Sequence, residues 1–437
     1  MHKYLPHTSE DIALMLKTIK VDQLDDLFDA IPKHLRYQKP YQIPQSLSDI
    51  EVTKLLQSIA SKNQSLTIFR GYGSYDVYTP SIVKSLTSRQ EFLTSYTPYQ
   101  PEVSQGTLQY IFEFQSMICE LTDMDVTNAS MYDGPTATAE AMFMALAHTN
   151  QKKVLISKTV HPRTIEVIET YGKYRDVEFV YVPEKDGQTD FSKLDALLPE
   201  SAALIVQSPN KYGVIENLNG VADRVHQASS LLIKNVEPSS LGLLKTPGTY
   251  GADIACGELQ SLGVPLSYGG AYVGFLAAKN FLLRKMPGRI CGITTDVDGK
   301  RAFVLTLQAR EQHIRRAKAN SNICSNQSLM ALSVAIYLSS LGEQGFVNLA
   351  KLRLDGAHYL YQKLIETKHF KPVFNKPFYN EFVLKSDLSA EKLDAYLISK
   401  GYLGPQSLGE GQFIFAVTEK RSKAEIDAFV KVIGELS

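Results

Sequence analysis

The chain has 437 residues, room for a large domain and a smaller one, and its apolar and charged fractions (44% and 21%) are ordinary for a globular protein. Its 46 Lys and Arg balance 46 Asp and Glu, which argues against nucleic-acid binding and against attachment to an anionic membrane. The four cysteines are scattered, Met1-His-Lys-Tyr-Leu-Pro6 has no apolar core of a secretory signal, and no apolar run reaches spanning length; these features exclude a disulfide framework and fit the cytoplasm.

In chain order, Thr8 and Asp11 form a capping-box pattern, followed by Ile12, Met15, Leu16 and Ile19 at helical spacing. Residues 25–40 read as a short helix running into a proline-bounded loop, and residues 1–60 as an N-terminal helical arm. A helix is expected over 108–121. From 125 to 280 strand and helix alternate. Short apolar runs at 154–156, 179–182, 203–206, 231–233, 252–255 and 272–276 read as buried strands, with helices at 137–148, 164–171 and 191–198 between them. This alternation predicts an α/β fold with a mainly parallel central sheet and helices on both faces, in a large domain over 61–327. Ligands of such sheets sit at the carboxyl ends of the strands. A helix over 326–341, strands at 382–384 and 413–416, and a last helix capped by Ser422 and Glu425 predict a smaller C-terminal α/β domain over 328–437.

Four segments carry chemistry. Tyr96-Thr-Pro-Tyr-Gln-Pro-Glu-Val-Ser-Gln-Gly106 gathers Tyr96, Tyr99, Glu102, Ser104 and Gln105 ahead of a helix, where hydroxyls and amides suit an anionic ligand; a well-capped turn has the same composition. In Asn128-Ala-Ser-Met-Tyr-Asp-Gly-Pro-Thr136, Tyr132 and Asp133 precede a Gly-Pro helix entry. That entry is either an anion site or an ordinary helix start. Residues 306–327 carry Arg310, His313, Arg315, Arg316 and Lys318, a solvated helix face or a rim that meets an acidic partner.

The fourth is Gly251-Ala-Asp-Ile-Ala-Cys-Gly-Glu-Leu-Gln-Ser-Leu-Gly-Val-Pro-Leu-Ser-Tyr-Gly-Gly270. It resembles the cofactor-anchoring segment of fold-type I enzymes dependent on pyridoxal phosphate (PLP). There a strand ends, a lysine holds the cofactor as an imine and a glycine-rich turn follows. Here Ser261 occupies the lysine position, and a hydroxyl cannot form an imine. The preceding strand, Leu231-Leu-Ile-Lys-Asn-Val-Glu-Pro238, also lacks the aspartate that faces the pyridine nitrogen, although Glu237 is near.

These segments, with Phe112-Glu-Phe-Gln115, Pro287-Gly-Arg289 and Ser321-Asn-Ile-Cys-Ser-Asn-Gln327, resemble one family over nearly the whole chain. It is the α subunit (subunit 1) of the two-subunit glycine dehydrogenase (decarboxylating), the P-protein of the glycine cleavage system. The sequence departs from the family's usual pattern across residues 69–78, at Ala271 and Tyr272, and at Ala317. The resemblance implies a fold-type I PLP-transferase-like subunit that binds no PLP or metal itself. It would join a PLP-bearing β subunit in an α2β2 assembly, decarboxylating glycine and passing the aminomethyl group to the lipoylated H-protein. It further implies that Tyr96, Tyr99, Glu102, Ser104, Gln105, Tyr132 and Asp133 border the active site, and that Arg310, His313, Arg315 and Arg316 face a partner. Two other readings stay open: a self-sufficient PLP enzyme using Lys211 or Lys245, and a non-catalytic scaffold built on the same fold.

Overall fold

A computed structural model describes residues 4–37, 39–308, 312–319 and 321–436. Arg310 therefore lies outside the described residues. The chain divides into two units, Met1–Gln64 and Ser65–Ser437.

In the first unit, Thr8 caps helix Ser9–Ile19 through the expected reciprocal pair with Asp11. A second helix, Asp49–Ala60, is capped in the same way by Ser48 and Glu51. Neither helix contains a buried residue. Between them the expected short helix is instead two separate 3-10 turns, Leu24–Phe28 and Lys33–Leu35. Pro32 interrupts the run, because a proline inside a helix removes one N–H and clashes with the preceding turn.

The second unit is built on a seven-stranded sheet. Its strands lie in the order Val126–Thr127, Gly274–Ala278, Ile254–Glu258, Leu231–Asn235, Ser201–Gln207, Lys153–Ser157 and Glu178–Val182. Six of them run in one direction, and Gly274–Ala278 alone is antiparallel to both of its neighbours. All six expected strands are present. Alternate residues along the strands enter two different cores, as the pleat requires. Leu155, Leu204, Val206 and Leu232 pack with Phe114 and Ile118 of helix Gln105–Thr122 and with Val334 of the long helix Ser328–Glu366. Val154, Ile156, Ile205 and Ile233 pack with Met142 and Ala145 of helix Gly134–Thr149 and with Ile168 of Pro162–Gly172. Each such side chain contributes about 1.5–3 kcal/mol by leaving water.

Two elements differ from expectation. Residues 191–198 form only a 3-10 turn and one helical turn, Phe191–Lys193 and Leu194–Leu197. The hairpin Ile290–Thr295 with Arg301–Thr306 carries no strong alternation, and its turn is fixed by Asp296, whose carboxylate accepts from the N–H of Asp298 and Lys300. The helix expected to stop near 341 does stop there: Gly342, at φ +61°, breaks the run Ser328–Glu366 into two helices, and the second continues to Glu366.

Toward the C-terminus a four-stranded sheet includes Glu381–Lys385 and Gln412–Ala416. Phe429 and Ile433 of helix Lys423–Gly434 pack with its Phe382, Phe413 and Phe415.

Candidate functional site

A cavity of about 330 Å³ opens at the carboxyl ends of the central strands. Gln207, Asn235 and Glu258, each the last residue of its strand, line it together with Asp133, Gly134, His161, Glu237, Ser261, Asn380 and Glu381. Tyr72 and Tyr75, from the segment that departs from the family pattern, complete the wall.

Ser261 lies two residues past Gln260's neighbour Leu259, in the turn that follows strand Ile254–Glu258, and is 2% exposed. Its backbone is held firmly while its hydroxyl is not used. The Ser261 carbonyl accepts from Arg353 Nη2 at 2.9 Å, whereas the Oγ has no hydrogen-bond partner. Gln260 fixes the turn: its amide accepts from Tyr75 N–H and donates to the carbonyls of Tyr75 and Val264. Arg353 is fully buried in helix Ser328–Glu366. Its Nε donates to Glu419 (2.7 Å), its Nη1 donates to Ser239 Oγ (2.7 Å), and Glu237 stands 3.9 Å away.

The lining does not suit PLP. The N-terminus of helix Gly134–Thr149 is where a phosphate would sit. There Gly134 N–H already donates to Glu258 Oε2 at 2.9 Å, and Asp133 caps Thr136 N–H. A Cβ on Gly134 would come within 2.8 Å of the Glu258 backbone N, so helix and strand meet with no spare room. The strand that would offer an acid to the pyridine nitrogen ends in Asn235, whose amide donates to Thr138 Oγ1. Lys211 also lines the cavity, but its ammonium is bound to the Lys158 carbonyl and paired with Glu184 at 2.9 Å.

Burial sets the protonation of the walls. It pushes the Glu258 carboxyl up to about 8, against three backbone N–H donors, and the Glu381 carboxyl up to about 7. It pushes the His161 imidazole down to about 4, so the ring is neutral. Between about pH 4.5 and 8 the folded chain holds carboxyl protons that the unfolded chain has lost, so these acids make stability fall as pH rises. His161 acts oppositely, but only up to about pH 6.5. The acids' effect is therefore cleanest above that point. The parent's Tm should fall more steeply from about pH 6.5 to 8.5 than that of Glu258→Gln, and parallel profiles would contradict these shifts.

The residues singled out in the sequence are distributed over several places. Asp133 lines the main cavity. Tyr99 and His313 meet edge to face at 6.3 Å beside a second cleft that also includes Cys324, whose N–H donates to Tyr132 Oη. Arg289, 5% exposed, holds this group together. Its guanidinium lies 5.5 Å from the Tyr99 ring centre and donates to the Cys324 carbonyl. Gln105 is taken up by the backbone of Phe303, through one bond in each direction. Ser104 is half-buried, whereas Tyr96, Glu102, Arg315 and Arg316 are exposed. Glu258, Glu381, Asn380, His161 and Arg353 were not singled out in the sequence. Glu258 lies in the quoted anchoring segment, three residues before Ser261, and a carboxylate closing an otherwise apolar strand was the available signal. The others carry no local signal.

The class follows from the fold. A sphingosine-1-phosphate lyase of Burkholderia pseudomallei superposes with a TM-score of 0.68 at 13% identity, over 92% of this chain and 94% of that one. An aspartate aminotransferase of Thermus thermophilus does so at 0.60 and 13% identity, over 84% and 98%. The chain has the fold-type I architecture of PLP-dependent enzymes.

A family model described as glycine cleavage system P-protein matches residues 2–433. A probable glycine dehydrogenase (decarboxylating) subunit 1 of Anoxybacillus flavithermus is 46% identical over 100% of this chain and 99% of its own length; one from Bacillus subtilis is 47% identical over 99% of each. A crystal structure of glycine decarboxylase (P-protein) of the glycine cleavage system, in inhibitor-bound form, superposes with a TM-score of 0.91 at 41% identity, covering 99% of both chains. The chain belongs to the glycine cleavage system P-protein family.

Proposed function

We propose that this chain is the subunit of a decarboxylating glycine dehydrogenase that does not anchor PLP, working with a PLP-bearing β subunit in an α2β2 assembly in the cytoplasm. The observation that carries the reading is the filled anchoring site: Ser261 stands where an amine is needed, and Glu258 occupies the helix N-terminus that would take the phosphate. PLP, held by the partner, supplies the electron sink for the carbanion left when glycine loses CO2. This chain's share is to complete the assembly, shape the entrance to the partner's site and receive the lipoyl arm of the H-protein. Tyr96, Tyr99, Glu102, Tyr132 and Asp133 are the proposed border of that site, with Ser104 and Gln105 fixing the turn. Arg310, His313, Arg315 and Arg316 are the proposed contacts for an acidic partner surface. The two helices of the N-terminal unit support a subunit role, since Leu14, Ile19 and Leu56 are exposed on otherwise well-capped helices.

Co-expression with a PLP-bearing β subunit tests the reading. The two chains should co-purify, and exchange of the glycine carboxyl carbon with bicarbonate should require both. Exchange by this chain alone would favour the Lys211 or Lys245 alternative. Full exchange by the β subunit alone would favour the scaffold.

A further inference from the structure

Two arginines among the described residues are buried, and the fold treats them differently. Arg353 has the Glu419 carboxylate at 2.7 Å and Glu237 beyond it. Arg289, 5% exposed, hydrogen-bonds only neutral groups: the Cys324 carbonyl at 2.8 Å, and the Asn326 side-chain oxygen and the Tyr99 hydroxyl at 3.4 Å each. Its Nε has no hydrogen-bond partner. The Cys291 thiol near it is pushed up to about 12 by burial, so it stays neutral and supplies no counter-charge. A charge taken out of water is costly unless it is paired, and an unsatisfied buried donor adds to that cost. Arg289 therefore lacks an anion.

The cleft beside it has matching chemistry. Tyr99, Gln312, His313, Ile323 and Cys324 line a volume of about 450 Å³. None of them is a carboxylate, and the Tyr99 hydroxyl and the Gln312 amide can donate. Tyr99 and Cys324 also touch Arg289, so the guanidinium stands immediately behind this wall. Nε and Nη2 form the edge of a guanidinium that grips an oxyanion through two parallel N–H···O bonds. On Arg289 that edge carries the unpartnered Nε and the long bond to Tyr99. Tyr99 is 52% exposed, so its ring has room to turn outward and yield the edge to a ligand.

We propose that this cleft binds a small oxyanion, a carboxylate or a phosphate, gripped by the Nε–Nη2 edge of Arg289 in place of the Tyr99 hydroxyl. Gln312 and His313 face it from the rim. The site is built from this chain's residues and does not depend on the activity proposed above, so it is measured without a partner subunit and without PLP.

The probes are inorganic phosphate and acetate, titrated into the purified full chain against potassium chloride at matched ionic strength, with calorimetry and thermal shift. At least one should bind saturably at millimolar concentration, and the one that does assigns the site to a phosphate or to a carboxylate. Arg289→Lys keeps a cation and removes the fork, and should lose about tenfold or more in affinity. Gln312→Glu places a carboxylate in the cleft on an exposed side chain. It should keep or raise the parent's Tm without added anion and bind the anion about tenfold or more weakly. Absence of saturable binding by both probes would overturn the proposal. So would unchanged affinity in Gln312→Glu, a comparison that leaves the buried arginine intact. Unchanged affinity in a folded Arg289→Lys would overturn it as well.

Discussion

Replacing Arg353 with Met should lower the unfolding free energy by about 3–5 kcal/mol, the usual effect of removing one partner from a buried ionic network. The guanidinium is fully buried and binds four groups from three parts of the chain: Glu419, the Ser261 carbonyl, and Ser239 with, more distantly, Glu237 in the same turn. Methionine roughly conserves volume, so the loss isolates the charge and its hydrogen bonds from any cavity. What remains is the Glu419 carboxylate, 9% exposed and without its cation. Adding Glu419→Gln should restore part of the loss, because the uncompensated charge is then gone. Chemical denaturation of the three variants checks both statements, and a loss below about 1 kcal/mol for Arg353→Met would contradict this role.

The second large effect concerns the turn ahead of helix Gln105–Thr122. In the assembled enzyme, at least one of Tyr96→Phe and Tyr99→Phe should lose roughly ten- to a hundredfold in glycine decarboxylation. Phenylalanine keeps the ring and removes only the hydroxyl. Tyr96 is 87% exposed in this chain, and the Tyr99 hydroxyl has only a long contact, 3.4 Å from Arg289 Nη2. The Tyr99 ring, which stacks near that guanidinium, is retained in the variant. Folding and assembly should therefore be unchanged, and a lost rate would report a hydroxyl used across the subunit boundary. If both variants assemble and work like the parent, these tyrosines are packing residues, and the turn leaves the active-site border.

The central sheet was legible in the sequence because its strands are buried on both faces. Runs such as Ala203-Leu-Ile-Val206 admit few other structures between helical segments. The caps at Thr8 and Ser422 were legible because a capping box is a purely local device. Helix Asp49–Ala60 has the same device at Ser48 and Glu51 and was passed over. The helix end at Leu341 was legible, whereas the helix that follows Gly342 packs Ala357, Leu360 and Leu364 with the Phe-rich C-terminal sheet, which local periodicity does not reveal. The site divides in the same way. A missing lysine is a local fact, so Ser261 could be read directly. Glu381, Asn380 and Arg353 come from far along the chain and meet the cavity wall only through the fold. Glu258 was in view, but its capture of the helix N-terminus needs the approach of Gly134 from over a hundred residues away. Arg70, one of the departures from the family pattern, has a structural use that only the fold displays: it pairs with Asp394 and donates to the Gly404 and Pro405 carbonyls.

Treatment of the purified full chain with PLP and then borohydride, followed by peptide mapping, shows directly whether this chain anchors PLP. No stoichiometric adduct should form, with at most scattered labelling of surface lysines. A single stoichiometric pyridoxyl-lysine, at Lys211 or at any other position, would contradict this expectation.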